Sequence, residues 1–300
     1  MSRSLSIYVP HQYVSNLVAL LHPLTIAQPI LYTFGLSIWS AAPELAIQEL
    51  GYPEGAIETK VVNLVEGANF VPDFLKINPK GTLPTLTADG KAYTSTAEVT
   101  AYLVEHAPKK VARGTAFIDK IHEDRYDPNA PLLLTRSEEE LKSSASGFPF
   151  TFVQNRQNSL EKHAQTPEGA AYKELYESKI AVNGGILAIY KGEVSEDVKH
   201  GFFKQSTAHW DTIVGFVLND LPATLPENGF LGGATPGEDD FHLAAWLARV
   251  AFLCGGTADK DGYKALEKET KQPVPTKVAA YWVAWSERPG WQKVYSGGLH

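Results

Sequence analysis

The segment from Lys76 to Leu86, KINPKGTLPTL, constrains this chain more than any other. Asn78-Pro79 and Lys80-Gly81 read as a turn closing a helical stretch, and Leu83 to Thr87 then alternates like a strand with proline at its second position. Proline brings no N–H to a sheet ladder, so Pro84 belongs at a strand start or on an exposed edge. An edge left unpaired can accept an extended peptide as an additional strand.

The flanking residues build a βα unit on one side and a ββα unit on the other. Ile30 to Phe34 reads as a strand, and the loop Gly35 to Ser40 opens a helix with Ser40 as its cap and Pro43 and Glu44 in its first turn. Leu45, Ala46, Glu49 and Leu50 continue that helix and Gly51 ends it. Ile57 to Val65 alternates as a second strand, Phe70 to Ile77 forms a short helix, and Asp89-Gly90 turns the third strand into a fourth at Lys91 to Thr94. Ser95 or Thr96 then starts a helix carrying Val99, Tyr102 and Leu103, so the order βαβ-α-ββα closes near His106.

Between residues 107 and 149, Pro108, Pro128, Pro131 and Pro149 punctuate an irregular stretch with one acidic helical piece at Ser137 to Lys142. Beyond it the chain reads helical, with Val198, Phe202, Trp210, Ile213, Val217 and Leu221 recurring on one face. Thr235-Pro236-Gly237-Glu238 has the form of a capping box, and the helix it opens, Phe241 to Phe252, is apolar nearly all round. The domain reading is therefore an N-terminal extension over 1–29, an α/β unit over 30–106, an irregular linker over 107–149 and an all-α domain over 150–300.

Charge and cysteine content narrow the partners. A net charge of −7 with no Lys/Arg cluster argues against nucleic acid. Cys254 is the lone cysteine, which rules out an intrachain disulfide and fits a reducing compartment; its apolar neighbours suggest a buried, inert thiol. Leu17 to Leu21 is too short to span a bilayer, and it lacks a cleavage signature, with a signal anchor as the alternative. His122, Glu123, Asp124 and Asp127 are dense in ligand-type side chains, yet their spacing fits no metal motif and a solvated loop is expected.

Three local signals, SIWS at Ser37 to Ser40, NPKGTLPTL, and STAEVTAYL at Ser95 to Leu103, together with an α/β unit followed by a helical half, resemble the glutathione transferase superfamily. The texture is most similar to its fungal and etherase-related branches. The resemblance implies a thioredoxin-like first domain, then a helical transferase domain. It implies a cytoplasmic homodimer, with no membrane or metal, acting in detoxification on glutathione and an apolar or aromatic electrophile.

It also implies that Pro84 is cis and that the backbone of Leu83 pairs with the cysteinyl part of glutathione. Ser95 and Thr96 would hold the γ-glutamyl end, with Ser40 also at the tripeptide. Ser37 would stabilise the thiolate, with Ser40 as its competitor for that role, and Phe34 and Trp39 would wall the second-substrate pocket, Trp39 being equally explicable as packing. A hydrogen bond to a charged group contributes roughly 1.5–3 kcal/mol, enough to lower a thiol pKa by about one to two units. Three features depart from the family pattern: Ser95 stands in place of the usual glutamate or glutamine, Glu44 stands where many relatives carry a basic residue, and the second-domain capping pair falls on Gly237 and Asp240, lacking its hydroxyl member. The competing expectation is a ligand-carrying or protein-interaction member of the same fold.

Overall fold

A computed structural model describes residues 28–300, so all but the last two residues of the expected extension lie outside the described residues. Strand β1 (Ile30–Thr33) leads into helix α1 (Ile38–Glu49), and β2 (Glu58–Val61) is followed by a 3-10 turn at Ala68–Phe70 and by α2 (Pro72–Leu75). Strands β3 (Thr85–Ala88) and β4 (Lys91–Tyr93) then precede α3 (Thr96–Glu105). The four strands are ordered β2-β1-β3-β4, with β1 parallel to β2 and antiparallel to β3. Leu31 faces Leu86 across the central pair, and both are fully buried.

Pro84 stands at a strand start, the first of its two expected places; the strand it precedes is interior, paired with β1 over Thr85–Thr87 and with β4 over Leu86–Ala88, and is not an exposed edge. One expectation about this unit needs correction. The first helix starts at Ile38, and its cap is Ser37, whose hydroxyl accepts from the Ser40 N–H. Pro43 consequently lies inside the helix, where it forgoes only the bond to the Trp39 carbonyl. Burial of Ser40, Ala41, Ala42, Leu45 and Ala46 on several sides of α1 outweighs that loss.

Residues 107–149 are more ordered than their prolines suggest. They hold α4 (Ala116–Ile121), a 3-10 turn at Asp124–Tyr126, α5 (Ala130–Leu133) and α6 (Glu138–Ala145). The helical half continues with α7 (Phe148–Ala164), α8 (Lys173–Lys191), α9 (Glu196–Gly215), a π-helical turn at Phe216–Asp220, and α10 (Leu221–Thr224). It closes with α11 (Glu238–Leu253), α12 (Lys264–Thr270), α13 (Thr276–Ser286) and α14 (Pro289–Val294).

The capping box expected from Thr235 and Glu238 does not form, because α11 begins at Glu238 itself with Gly237 as its cap. Asp240 takes over this end: its carboxylate accepts the N–H groups of Leu231, Gly232 and Gly237, each at 2.8 Å, and the Tyr281 hydroxyl at 3.1 Å. Glu238 instead reaches out to the Gly114 N–H at 2.8 Å and the Thr100 hydroxyl at 3.2 Å.

The helical half grips the sheet unit at two places. At the first, α1 and α3 share one continuous core with α11, α13 and α14, in which Trp246, Trp282, Trp285 and Trp291 are fully buried. At the second, Phe70 and Leu75 pack on Leu160 and Tyr176, and the Tyr176 hydroxyl donates to the Phe70 carbonyl at 2.8 Å. Gly67 sits in this contact at φ 68°, and a Cβ there would lie 2.6 Å from that of Ser159, so a side chain is excluded on two grounds. Burial at this scale, about 25 cal/mol per Å² of apolar surface, holds the halves in one arrangement.

Candidate active site

Between the two grips lies a cleft of about 420 Å³. Its sheet-domain wall is Phe34, Leu36, Ser37, Trp39 and the stretch Gly81 to Leu83. Its helical wall comes from Asp127, Asn129, Leu132 and Leu133, from Phe148, Phe152 and Arg156 of α7, and from Arg249 and Phe252 of α11. Residues 107–149 therefore reach the cleft, through Asp127 just after the 3-10 turn and through α5.

Ser37 is half-buried and sits at the N-terminal end of α1. Its N–H is committed to the Phe34 carbonyl at 2.7 Å, but its hydroxyl oxygen accepts only a long contact, 3.4 Å, from Ser40. The hydroxyl proton thus has no acceptor among the described residues and is available to an anion in the cleft. The first N–H groups of α1 have no intrahelical partners, which makes this end favourable for negative charge.

The Leu83–Pro84 bond is cis. Among the described residues, neither the N–H nor the carbonyl of Leu83 has a partner, although Leu83 is largely buried and lines the cleft. Neighbouring polar groups are internally satisfied: Asn78 Nδ2 donates to Thr85 Oγ1 at 2.8 Å and to the Thr82 carbonyl at 2.9 Å, and Asn69 Nδ2 donates to the Gly81 carbonyl at 2.7 Å. The turn is therefore rigidly held while the main chain of Leu83 stays open, as an extended ligand requires.

Other expected residues are placed differently. Ser40 is fully buried in α1 and its hydroxyl has no partner among the described residues, so it faces the core and not the cleft. Ser95 caps α3 in a complete box, its hydroxyl accepting from the Glu98 N–H at 3.2 Å while Glu98 accepts from the Ser95 N–H at 3.1 Å. Hydrogen bonding, led by the Thr94 N–H, holds the Glu98 carboxyl below its ordinary range. Thr96 is buried beside it, and Ser95, Thr96 and Pro84 lie outside the lining of the cleft.

Phe34 and Trp39 both line the cleft, and Trp39 also stacks on His122 with centroids 3.9 Å apart. His122 Nε2 meets His242 Nδ1 at 2.8 Å, and His242 Nε2 meets Thr100 Oγ1 at 2.8 Å, so the two histidines tie α4, α11 and α3 together. Burial pushes His122 down to about 4, and burial and then the charge of His122 push His242 well below its ordinary value. The acidic neighbours are spoken for: Glu123 pairs with Arg125 at 2.7 Å, and Asp127 accepts from Asn129 at 3.0 Å. Cys254 is half-buried, and burial pushes its thiol up to about 12, which leaves it unreactive.

Glu44 does not confront the cleft. It accepts the Thr33 hydroxyl, and burial, partly opposed by that bond, raises its pKa. A carboxyl held this way carries less negative charge toward a nearby thiolate than its sequence position suggests.

Sequence reasoning missed the far wall. Arg249 is buried, and its Nη2 donates to the Leu36 carbonyl at 2.8 Å, fastening the loop before Ser37 to α11 across the domain contact. Burial brings its pKa down to about 10. Arg156 projects from α7 over the Phe70 ring, 4.9 Å from its centroid. No local pattern announces either residue, since each meets the sheet-domain wall of the site across more than seventy residues of intervening chain.

Residues 31–111 match the family model described as glutathione S-transferase, N-terminal domain. A 75-residue stretch is 33% identical to glutathione S-transferase D7 of Drosophila melanogaster, covering 25% of this chain and 32% of that relative. The chain thus matches about a third of the length of that relative. Among solved structures, the β-etherase LigF from Sphingobium sp. strain SYK-6 superposes with a TM-score of 0.54 at 14% identity, covering 90% of this chain and 99% of that one. Glutathione transferase F7 from Populus trichocarpa gives a TM-score of 0.48 at 18% identity over 90% of this chain and 98% of that one. Residues 31–111 are thus similar to the glutathione S-transferase N-terminal domain, and the two-part fold is similar to that of LigF.

Proposed function

We propose that this protein is a glutathione-dependent transferase that conjugates glutathione to an apolar or aromatic electrophile, or uses it to cleave an ether on one. The supporting observation is that the free hydroxyl proton of Ser37 and the unpaired main chain of Leu83 open on one cleft whose other walls include Phe34, Trp39, Phe148 and Phe152. The cysteinyl part of glutathione would pair with Leu83 as an added strand, which brings its sulfur beside Ser37. Ser37 would donate to the sulfur, and the N-terminal end of α1 would add to the preference for the anion. The reaction is then attack of thiolate on the electrophile, with the leaving group departing into the cleft; a protein cysteine is not required.

The test is the thiol pKa of bound glutathione, followed by thiolate absorbance, in the native chain and in Ser37→Ala. A lowered pKa that returns toward that of free glutathione in the variant supports the assignment. An unshifted thiol combined with tight aromatic binding would establish the second reading, a ligand carrier of the same fold. That reading draws on Ser95, which is consumed by its own capping box. Pairing as a cytoplasmic homodimer belongs to the same proposal, and sedimentation equilibrium measures the first part of it.

A further inference from the structure

Helix α7 presents Phe148, Phe152 and Arg156 to the cleft at successive intervals of four, so all three lie on one helical face. The first two offer rings, 5.9 Å apart between centroids, while the third ends the stripe with a guanidinium. Arg156 makes no hydrogen bond among the described residues, and its Nε is buried without a partner. Lys179 of α8 lies within its electrostatic reach, half-buried, and burial followed by the charge of Arg156 lowers its pKa. Burial alone lowers that of Arg156, with no acidic group among the described residues opposing it.

The contrast with the other cleft arginine is informative. Arg249 has a carbonyl partner in Leu36, and the Asp127 carboxyl lies in its field. Arg156 has no such partner among the described residues: it lines the cleft on the same helical face as Phe152, and its Nε is buried and unbonded. Desolvated charge of one sign is unfavourable unless something answers it, and a planar guanidinium fork is best answered by a carboxylate.

We propose that Arg156 recognises a carboxylate on the ligand of this cleft, so that the cleft selects molecules whose apolar body lies along Phe148 and Phe152 and whose anionic end reaches the guanidinium. The carboxylate comes either from the glycine end of glutathione or from an acidic acceptor. The inference rests on the transferase reading only in placing the ligand in this cleft.

Calorimetric titration of the full chain with two matched pairs, glutathione against its glycine ethyl ester and 4-phenylbutanoate against its amide, separates the sources. Arg156→Gln should weaken the carboxylate member of one pair by about ten- to hundredfold while leaving its neutral partner within about twofold. Arg156→Lys should retain part of the preference. If glutathione shows the dependence, the tripeptide is the source; if only phenylbutanoate does, the acceptor is. Arg156-dependent binding of phenylbutanoate by a chain that ignores glutathione would sink the transferase reading and keep this one. Equal losses for charged and neutral members, or a native chain that does not distinguish the members of either pair, would overturn it. Should Arg156→Gln fold poorly, the ligand-induced rise in Tm of the native chain for acid against amide decides the same question.

Discussion

Helices α1 and α3 of the sheet domain both begin on a serine, yet the two hydroxyls are in different chemical states. Ser95 is enclosed in a reciprocal box, giving its oxygen to Glu98 while Glu98 takes its N–H. Ser37 has only a 3.4 Å contact from within its own helix and faces the cleft. A completed cap contributes to folding and is closed to ligands. An incomplete one leaves a donor and a positive helix end available for binding. The same residue type at the same helical position thus closes the cap in one helix and leaves a donor facing the cleft in the other.

The largest effect that would break this comparison is on Ser37. Ser37→Ala should lower kcat/KM by about ten- to hundredfold, the equivalent of a hydrogen bond to a charged group, with Tm little changed. Steady-state kinetics and a thermal melt check both halves of that statement. A Tm loss as large as that of a true cap would show that Ser37 is structural.

Acidification should act on both helices together, because Trp39 of α1 rests on His122 and Thr100 of α3 bonds to His242. Both histidines have depressed folded-state pKa values, so the unfolded chain takes up protons first. Stability is therefore complete above the ordinary histidine value and falls as pH drops from there toward about 4, by at most about 1.4 kcal/mol per pH unit per histidine. Calorimetry at about pH 7.5 and about pH 5 should show the loss, and replacing His122 with Asn should flatten the slope.

Ser95→Ala should give the reverse of the Ser37 result. It is expected to cost about 1 kcal/mol of stability while leaving the pKa of a bound thiol unchanged. Denaturant melts with a thiolate titration measure the pair of outcomes. The smallest effect is expected for Glu44→Gln, which should move the bound thiol by less than about half a pKa unit, because the carboxyl is already bonded to Thr33 and desolvated. A fall of a whole unit would show that its charge does reach the cleft.

Much of the sheet domain was readable one residue at a time. Gly51 and Gly90 stop or turn the chain with positive φ where the sequence places a helix end and a hairpin. The spacing of Val99, Tyr102 and Leu103 gives the buried side of α3. The start of α1 misled for a local reason: Ser37 and Ser40 are both good caps, and Pro43 reads as first-turn proline only if the later one is chosen. At α11 the Thr235–Glu238 pattern was a false signal, since Glu238 is drawn away to Gly114 and Thr100 of distant segments. Phe34, Ser37, Trp39 and Leu83, all legible in the sequence, line the cleft, whereas Ser40 lies in the core and Ser95 and Thr96 stand outside the cleft lining.

The sequence alone determined what depends on neighbours within about one helical turn or one strand: the strand and helix order of the first domain, the open turn before Pro84, and a serine ahead of the first helix. The tertiary structure decided which of two capping serines faces the cleft, that Glu44 is held by Thr33, and that Arg156 and Arg249 meet the sheet domain from helices far along the chain. Local preferences act through backbone geometry and are written in adjacent residues. The cleft is made by packing two halves against each other, and the charges that pack there answer partners no local pattern can indicate.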